Sequence, residues 1–197
     1  MPPAPLRVGI DARAAAEVPA GRGRYVRELV RALHALGGQV SPLLFGRRAW
    51  PLEGSKWRLI PTREPFWGAH AGLVAARHCD VLLASNSYLM SIAPRPVVVV
   101  VQDLFGFDRS HGLPASALGE RVTLPVAVHR AAGFICPSVA TRDALAQLYP
   151  DTRGRSAVIA HGVTPAFLNA QGSGVARRYG VEGPFLLAVA TLEPRKN

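Results

Sequence analysis

The sequence predicts an α/β fold, a doubly wound parallel sheet with helices on both faces. Three observations carry this. Short apolar runs alternate with amphipathic stretches along the chain, the run Val97-Val98-Val99-Val100-Val101 is apolar at every position, and polar residues stand directly after the runs. Strand and helix in alternation make βαβ units and parallel pairing. A strand with no polar alternation is one covered on both faces. In such sheets ligands lie beyond the carboxyl ends of the strands, beside the point where the strand order reverses.

Leu6 to Ile10 reads as a first short strand, interrupted by Arg7 and Gly9 and ending at Asp11-Ala12-Arg13. A loop then closes on Pro19-Ala20-Gly21-Arg22-Gly23-Arg24-Tyr25. From there Tyr25, Val26, Leu29, Val30, Leu33 and Leu36 recur at three- and four-residue spacing, the stripe of an amphipathic helix that Gly37-Gly38 ends. Val40 to Phe45 and Arg58 to Ile60 are the next strands, Phe66 to Arg77 a helix, and Asp80 to Ala84 another strand. The five valines form a central strand. A loop over Asp103 to Gly112 leads past Pro114 into a helix towards Arg130, and Gly133 to Cys136 is the strand after it. Ser138 stands where an N-cap serves the helix Val139 to Leu148, and Ala157 to Ala160 is a strand ending at His161-Gly162. Residues 1–168 thus make one domain. Phe185 to Ala190 reads as a buried strand and Pro194-Arg195-Lys196-Asn197 as a charged turn, a strand that either closes the sheet of the preceding residues or opens a second domain.

The composition is that of a folded protein, 197 residues with 49% hydrophobic side chains. No window reaches the ~18 uninterrupted apolar residues of a membrane span, and the start Met1-Pro2-Pro3-Ala4-Pro5-Leu6-Arg7 lacks the apolar core of a signal peptide, so a cytoplasmic location is expected. Cys79 and Cys136 stand apart from any ligand spacing and read as buried thiols. The formal net charge is +10, and through residue 60 there are 10 basic against 4 acidic side chains. That basic third suits a sugar-nucleotide phosphate, an anionic bilayer surface or nucleic acid. Lys56 and Lys196 are the only lysines, so the arginine excess also fits a compositional habit. Aromatics make up 7% and do not interleave with the arginines, which disfavours base stacking and hence nucleic acid.

The chemistry lies at the strand ends. Gly21-x-Gly23 opens a helix, where free backbone amides and the positive end of the helix dipole face an anion and missing side chains permit close approach. Arg22 and Arg24 add charge. The spacing is not that of a dinucleotide fingerprint, since Val26 replaces the third glycine, and no Gly-Lys-Ser/Thr follows; alone, the glycines equally serve a tight loop. Gln102-Asp103, Ser138, Thr141-Arg142 and His161-Gly162 close the other strands. Each also has an ordinary explanation as a turn residue, a cap or a loop histidine. No Ser/His/Asp or Cys/His order and no carboxylate cluster for a metal stands out.

Taken in order, Val8-Gly9-Ile10-Asp11-Ala12-Arg13, Gly21-Arg22-Gly23-Arg24-Tyr25-Val26-Arg27-Glu28-Leu29, Val99-Val100-Val101-Gln102-Asp103-Leu104, Pro137-Ser138-Val139-Ala140-Thr141-Arg142-Asp143, Val158-Ile159-Ala160-His161-Gly162-Val163 and Ala190-Thr191-Leu192-Glu193-Pro194-Arg195-Lys196-Asn197 resemble the glycosyltransferase family 4 enzymes, especially the mannosyl- and rhamnosyltransferase-like ones. The resemblance implies the N-terminal half of a GT-B fold: a Rossmann-like acceptor-binding domain over residues 1–168, a linker over residues 169–183 whose Gln171-Gly172-Ser173-Gly174 run is flexible, and residues 184–197 as the start of a domain that binds a nucleotide-sugar, with Phe185 to Ala190 its first strand. It implies a transferase that passes a hexosyl unit, with retention, to a saccharide or lipid-linked acceptor in polysaccharide or bacterial cell-envelope synthesis.

By the same resemblance Gly21, Gly23, Arg24, Arg195 and Lys196 bind the donor phosphates, Gln102 and Asp103 are the catalytic pair, and Asp11, Arg13, Ser138, Thr141 and His161 line the acceptor cleft. The nucleotide-sugar is a substrate; no cofactor and no metal is implied, because fixed cations and amides stabilise the diphosphate leaving group. Gln102 departs from the family's usual histidine and cannot take up a proton at neutral pH. The family's later acidic segment is absent through Asn197, so the chain by itself is expected not to transfer sugar, being either truncated or completed by a separately encoded C-terminal half. Contact of the basic first helix with an anionic membrane at the inner face is the further expectation. A GT-B sugar-nucleotide epimerase and a non-enzymatic basic binding module are the alternatives.

Overall fold

A computed structural model describes residues 4–18, 21–52, 54–107, 115–169 and 174–189. In chain order it forms β1 (Leu6–Asp11), α1 (Arg13–Glu17), α2 (Gly21–Ala35), β2 (Val40–Gly46), β3 (Lys56–Leu59), α3 (Trp67–Ala75), β4 (Val81–Ala84), β5 (Val97–Val100), α4 (Ala115–Arg130), β6 (Gly133–Cys136), α5 (Val139–Leu148), β7 (Ser156–Val158), α6 (Pro165–Leu168) and α7 (Val175–Arg178). Short 3-10 turns lie at Tyr88–Ile92, Phe105–Phe107 and Pro150–Arg155. The seven strands make one sheet in the order β3-β2-β1-β4-β5-β6-β7, and every pairing is parallel. The chain winds outward through β2 and β3, returns to β4 beside β1, and then winds the other way. The strand order therefore reverses between β1 and β4.

The valine run shows how the sheet is held. Val97, Val99 and Val101 belong to one apolar cluster, with Leu82, Ala84, Phe134, Cys136, Trp67, Leu124 and Leu145. Val98 and Val100 belong to the other, with Ile10, Leu44, Leu83, Val26 and Val30. Successive side chains point to opposite faces, and each face has its own helices, α1 and α2 on one and α3, α4 and α5 on the other. Right-handed crossovers require this division, because strands added in opposite directions place their connecting helices on opposite sides. Leu124 and Leu145 are fully buried, so truncating either to alanine costs about 2–5 kcal/mol.

Several elements differ from the sequence expectation. The fully covered strand Phe185 to Ala190 is absent over its described part, residues 185–189, which pair with none of the seven strands. Leu186 and Val189 there are 103% and 88% exposed. A parallel strand draws its hydrogen bonds from neighbours, so apolar character alone does not make one. The segment before Pro19 contains α1, since Ala14-Ala15-Ala16 are strong helix formers. The following helix already begins at Gly21, which places both glycines inside its first turn. Cys79 and Cys136 are buried free thiols, and burial pushes both up from the ordinary thiol value.

Candidate functional site beyond the strand ends

Beneath the reversal point lies a buried ionic network. Asp11, the last residue of β1, is 0% exposed, and Arg13 is 4% exposed. The Arg13 backbone N–H and Nε each donate to Asp11 Oδ1 at 3.3 Å, and Nη2 donates to Oδ2 at 3.4 Å. Arg13 also pairs with Glu64, and its guanidinium lies 3.9 Å from the Trp67 ring centroid. From β4 the Ser85 hydroxyl donates to the Asp11 carbonyl at 2.5 Å. Burial pushes the Asp11 carboxyl above its ordinary value, and Arg13 beside it opposes the shift. The sequence-predicted cleft residues Asp11 and Arg13 thus lie under the crevice with each other as partners, and they hold β1 to α1 and β4.

The start of α2 forms one wall. A Cβ on Gly23 would overlap the carbonyl oxygens of Val18 and Ala14, so this glycine lets α1 and α2 touch. Around Gly21 no described atom lies within 4 Å of such a Cβ. The exposed Gly21 is therefore where a ligand can approach the first-turn amides closely. Arg24 Nη2 donates to Thr164 Oγ1 at 2.8 Å, and its guanidinium lies 4.3 Å from the Phe167 ring centroid. His161 meets the Tyr25 ring at 4.8 Å between centroids, tilted by 57°. The chain leaving β7 is thereby tied to α2 through two residues predicted for the site. Ser138 and Thr141 hold each other: Ser138 Oγ accepts from the Thr141 N–H at 3.1 Å, as an N-cap of α5, and the two hydroxyls lie 3.0 Å apart. Arg195 and Lys196 lie outside the described residues.

A second polar group follows the carboxyl end of β5, two strands from β1. Gln102 Nε2 is buried and has no hydrogen-bond partner among the described residues. An unsatisfied buried donor costs about 1–3 kcal/mol, a cost that a ligand oxygen would remove. Asp103 next to it is exposed and accepts the Phe105 N–H at 3.1 Å, a short turn that fixes the loop. Arg121 Nε donates to the Gly106 carbonyl at 2.6 Å and so clamps α4 onto that loop. From the wall of α2, Arg22 Nη1 donates to Asn86 Oδ1 at 3.1 Å.

Glu120, one residue before the clamp, is half-buried; burial pushes its carboxyl up, the Asp103 carboxylate adds to the push, and Arg22 opposes it. The half-buried Tyr88 phenol is raised chiefly by burial, then by Glu120 and Asp103, with Arg22 again opposing. Six polar side chains from α2, β4, β5 and α4 therefore share one neighbourhood. Asn86, Tyr88 and Glu120 were not singled out by sequence. Glu120 carried a signal, a carboxylate four residues before the buried Leu124 on the core stripe of a helix. Among the described residues no three His, Cys, Asp or Glu side chains gather as metal ligands would.

A seven-stranded, all-parallel, doubly wound sheet with helices on both faces defines an α/β domain of the Rossmann-like kind. The family model of Glycosyltransferase Family 4 matches residues 19–167, and the chain belongs to that family. Its fold is similar to that of a glycosyltransferase from Rickettsia africae ESF-5 known from a crystal structure, with a TM-score of 0.56 and 15% sequence identity, over 91% of this chain and 50% of that one. The chain thus spans half the length of that solved structure. No curated protein matches it.

Proposed function

We propose that this chain is the acceptor-binding half of a retaining hexosyltransferase, of the mannosyl- or rhamnosyl-transferring kind, that uses a nucleotide-sugar and a saccharide or lipid-linked acceptor. The observation that carries the reading is the buried Gln102 amide nitrogen, without a partner among the described residues, beside Asp103 at the carboxyl end of β5 in a family 4 domain. Gln102 occupies the place of the family's usual histidine. Its amide donates a hydrogen bond to a hydroxyl of the reacting sugars and moves no proton. Asp103 accepts from an acceptor hydroxyl. The first-turn amides at Gly21, with Arg22 and Arg24, face the charge that builds on a departing diphosphate, and such fixed donors stabilise a transition state without reorganisation. Arg195 and Lys196 extend this cationic edge in the proposal, and no metal is asked to share that role. Arg24 meets the phosphate by exchanging its bond to Thr164.

The reading also places the protein on the cytoplasmic side, in peripheral contact with an anionic bilayer. Among the described residues no helix is long and apolar enough to cross a membrane. Support comes from the exposed Arg31 of α2, whose guanidinium lies 5.0 Å from the Trp50 ring centroid, an aromatic and basic pairing suited to a headgroup layer.

The test of the function is a titration of the ¹⁵N-labelled chain with GDP and, separately, with methyl mannoside. GDP is expected to shift the amides of Gly21 to Arg24, and the sugar those of Asn86, Gln102 and Asp103. Shifts confined to other surfaces would sink the reading.

A further inference from the structure

The chain that leaves β7 is held to the domain at a few points of unlike strength. Among the described residues, its last backbone bond to the sheet is the Ile159 N–H donating to the Cys136 carbonyl at 2.9 Å. From Ala157 to Asn169 every residue is exposed except Thr164. Also among the described residues, the hydrogen bonds and ring contacts that tie residues 160–169 to the rest of the domain end on two consecutive residues of α2. Arg24 Nη2 donates to Thr164 Oγ1 at 2.8 Å and its guanidinium lies 4.3 Å from the Phe167 ring centroid, while Tyr25 meets the His161 ring at 4.8 Å.

The two attachments differ in what stands behind them. Tyr25 is half-buried and packs against the apolar cluster of Ile10, Val26 and Val30, so its ring is fixed by the fold. Arg24 is exposed, and an exposed cation–π contact or one bond to a hydroxyl is a weak tie. A phosphate takes two guanidinium N–H groups at once, with charge behind both bonds. Both forks that a guanidinium offers, Nε with Nη2 and Nη1 with Nη2, draw on the nitrogen that Thr164 now holds. Arg24 stands three positions after the exposed Gly21, on the same side of α2, and helical side chains lean towards the helix N-terminus. Its guanidinium therefore serves either the first-turn amides at Gly21 or the Thr164 and Phe167 pair.

We propose that Arg24 is a releasable clasp and the Tyr25–His161 contact a standing pivot, so that an anion arriving at the first turn of α2 draws Arg24 off Thr164 and Phe167 and frees residues 164–168 while His161 stays seated. This rests on the reading that Arg24 meets a phosphate. Binding at α2 then sets the freedom of the chain that runs on from β7, a segment outside the ligand's own contacts. The coupling is reciprocal: the bond that the clasp makes in the empty state is given up on binding, so a chain without the clasp binds the anion more tightly.

The full ¹⁵N-labelled chain is titrated with GDP, and the ¹H–¹⁵N NOE, which falls as an amide gains fast motion, is followed at His161, Thr164, Phe167 and Leu168. GDP is expected to lower it at Thr164, Phe167 and Leu168 to the level of the ligand-free Arg24→Ala chain and to leave it unchanged at His161. Thr164→Val and Phe167→Ala each remove one half of the clasp. Each is expected to bind GDP more tightly, by about two- to tenfold for Thr164→Val, the net worth of one hydrogen bond, whereas a merely structural role gives equal or weaker binding. Thermal melting verifies that both variants are folded. If GDP shifts the amides of Gly21 to Arg24 while the NOE at Thr164, Phe167 and Leu168 holds, the clasp is overturned and the phosphate reading stands. The clasp is equally overturned if neither variant binds GDP more tightly. If GDP moves no amide from Gly21 to Arg24, the phosphate reading falls and the clasp with it.

Discussion

Two polar clusters lie at the carboxyl edge of one sheet, one at the end of β1 and one after β5, and have opposite character. The Asp11–Arg13 network is closed: both side chains are almost fully buried, and Arg13 meets Asp11, Glu64 and the face of Trp67. The Gln102–Asp103 group is open: the buried Gln102 amide nitrogen has no partner among the described residues, and Asp103 beside it is exposed. Burial of a charge demands that its hydrogen bonds be complete. A strand end that completes them builds the floor of the site, and one that leaves them incomplete is available to a ligand.

The largest expected effect breaks the closed cluster. Arg13→Ala leaves Asp11 buried without its guanidinium and is expected to cost about 3–5 kcal/mol of stability, read by urea unfolding; a loss within experimental error would show that the network is ornamental. Next, Gly23→Ala forces a methyl group against the Val18 and Ala14 carbonyls and should cost about 1–3 kcal/mol. Gly21→Ala, in open space, should leave stability almost unchanged while weakening GDP binding measured by calorimetry. Equal stability loss in the two glycine variants would erase the distinction between packing and ligand approach.

A smaller effect sharpens the open side. Gln102→Leu removes a buried donor that has no partner and should change stability by no more than about 1 kcal/mol in either direction, while sugar-induced amide shifts at Asp103 disappear. A large stability loss would mean that the amide is satisfied within the fold and that the cluster is closed after all.

The smallest effect comes from an exposed ion pair on the far side of the sheet. Arg7 donates from Nη2 to Asp80 Oδ1 at 2.6 Å, and from its backbone N–H to Oδ2 at 3.0 Å. These bonds to Arg7 pull the Asp80 carboxyl down to about 2. Because the folded value lies below the unfolded one, the pair's contribution is present above the ordinary carboxyl value of 3.8 and is lost as pH falls towards about 2. Comparing melting temperatures of the unaltered chain and Asp80→Asn from pH 5 to pH 2 should show the difference between them shrinking across that interval. A constant difference would remove Asp80 as its source.

Much of this architecture was legible along the chain because it depends on neighbours in sequence. The alternation of short apolar runs with amphipathic stretches gave the strands and helices, and Ser138 was readable as an N-cap because capping spans only three residues, Ser138 to Thr141. The five valines were readable as an interior strand because both faces of that strand are covered. By the same logic Phe185 to Ala190 reads as a strand, and its described residues lie unpaired. Whether an apolar run becomes a strand depends on what lies beside it, which no local pattern contains.

The sequence by itself determined the fold class, the family, and the strand ends at which chemistry gathers, because periodicity and motif order are local properties of the chain. The tertiary structure decided which of those polar residues are spent on the fold and which remain open. Asp11 and Arg13 turned out to complete each other, Arg24 and His161 to tie α2 to the chain leaving β7, and Asn86, Tyr88 and Glu120 to join Gln102 and Asp103. The physical reason is that hydrogen-bond satisfaction and burial are properties of neighbours in space. The reversal of winding between β1 and β4 brings together residues separated by as many as 98 positions in sequence, from Arg22 to Glu120.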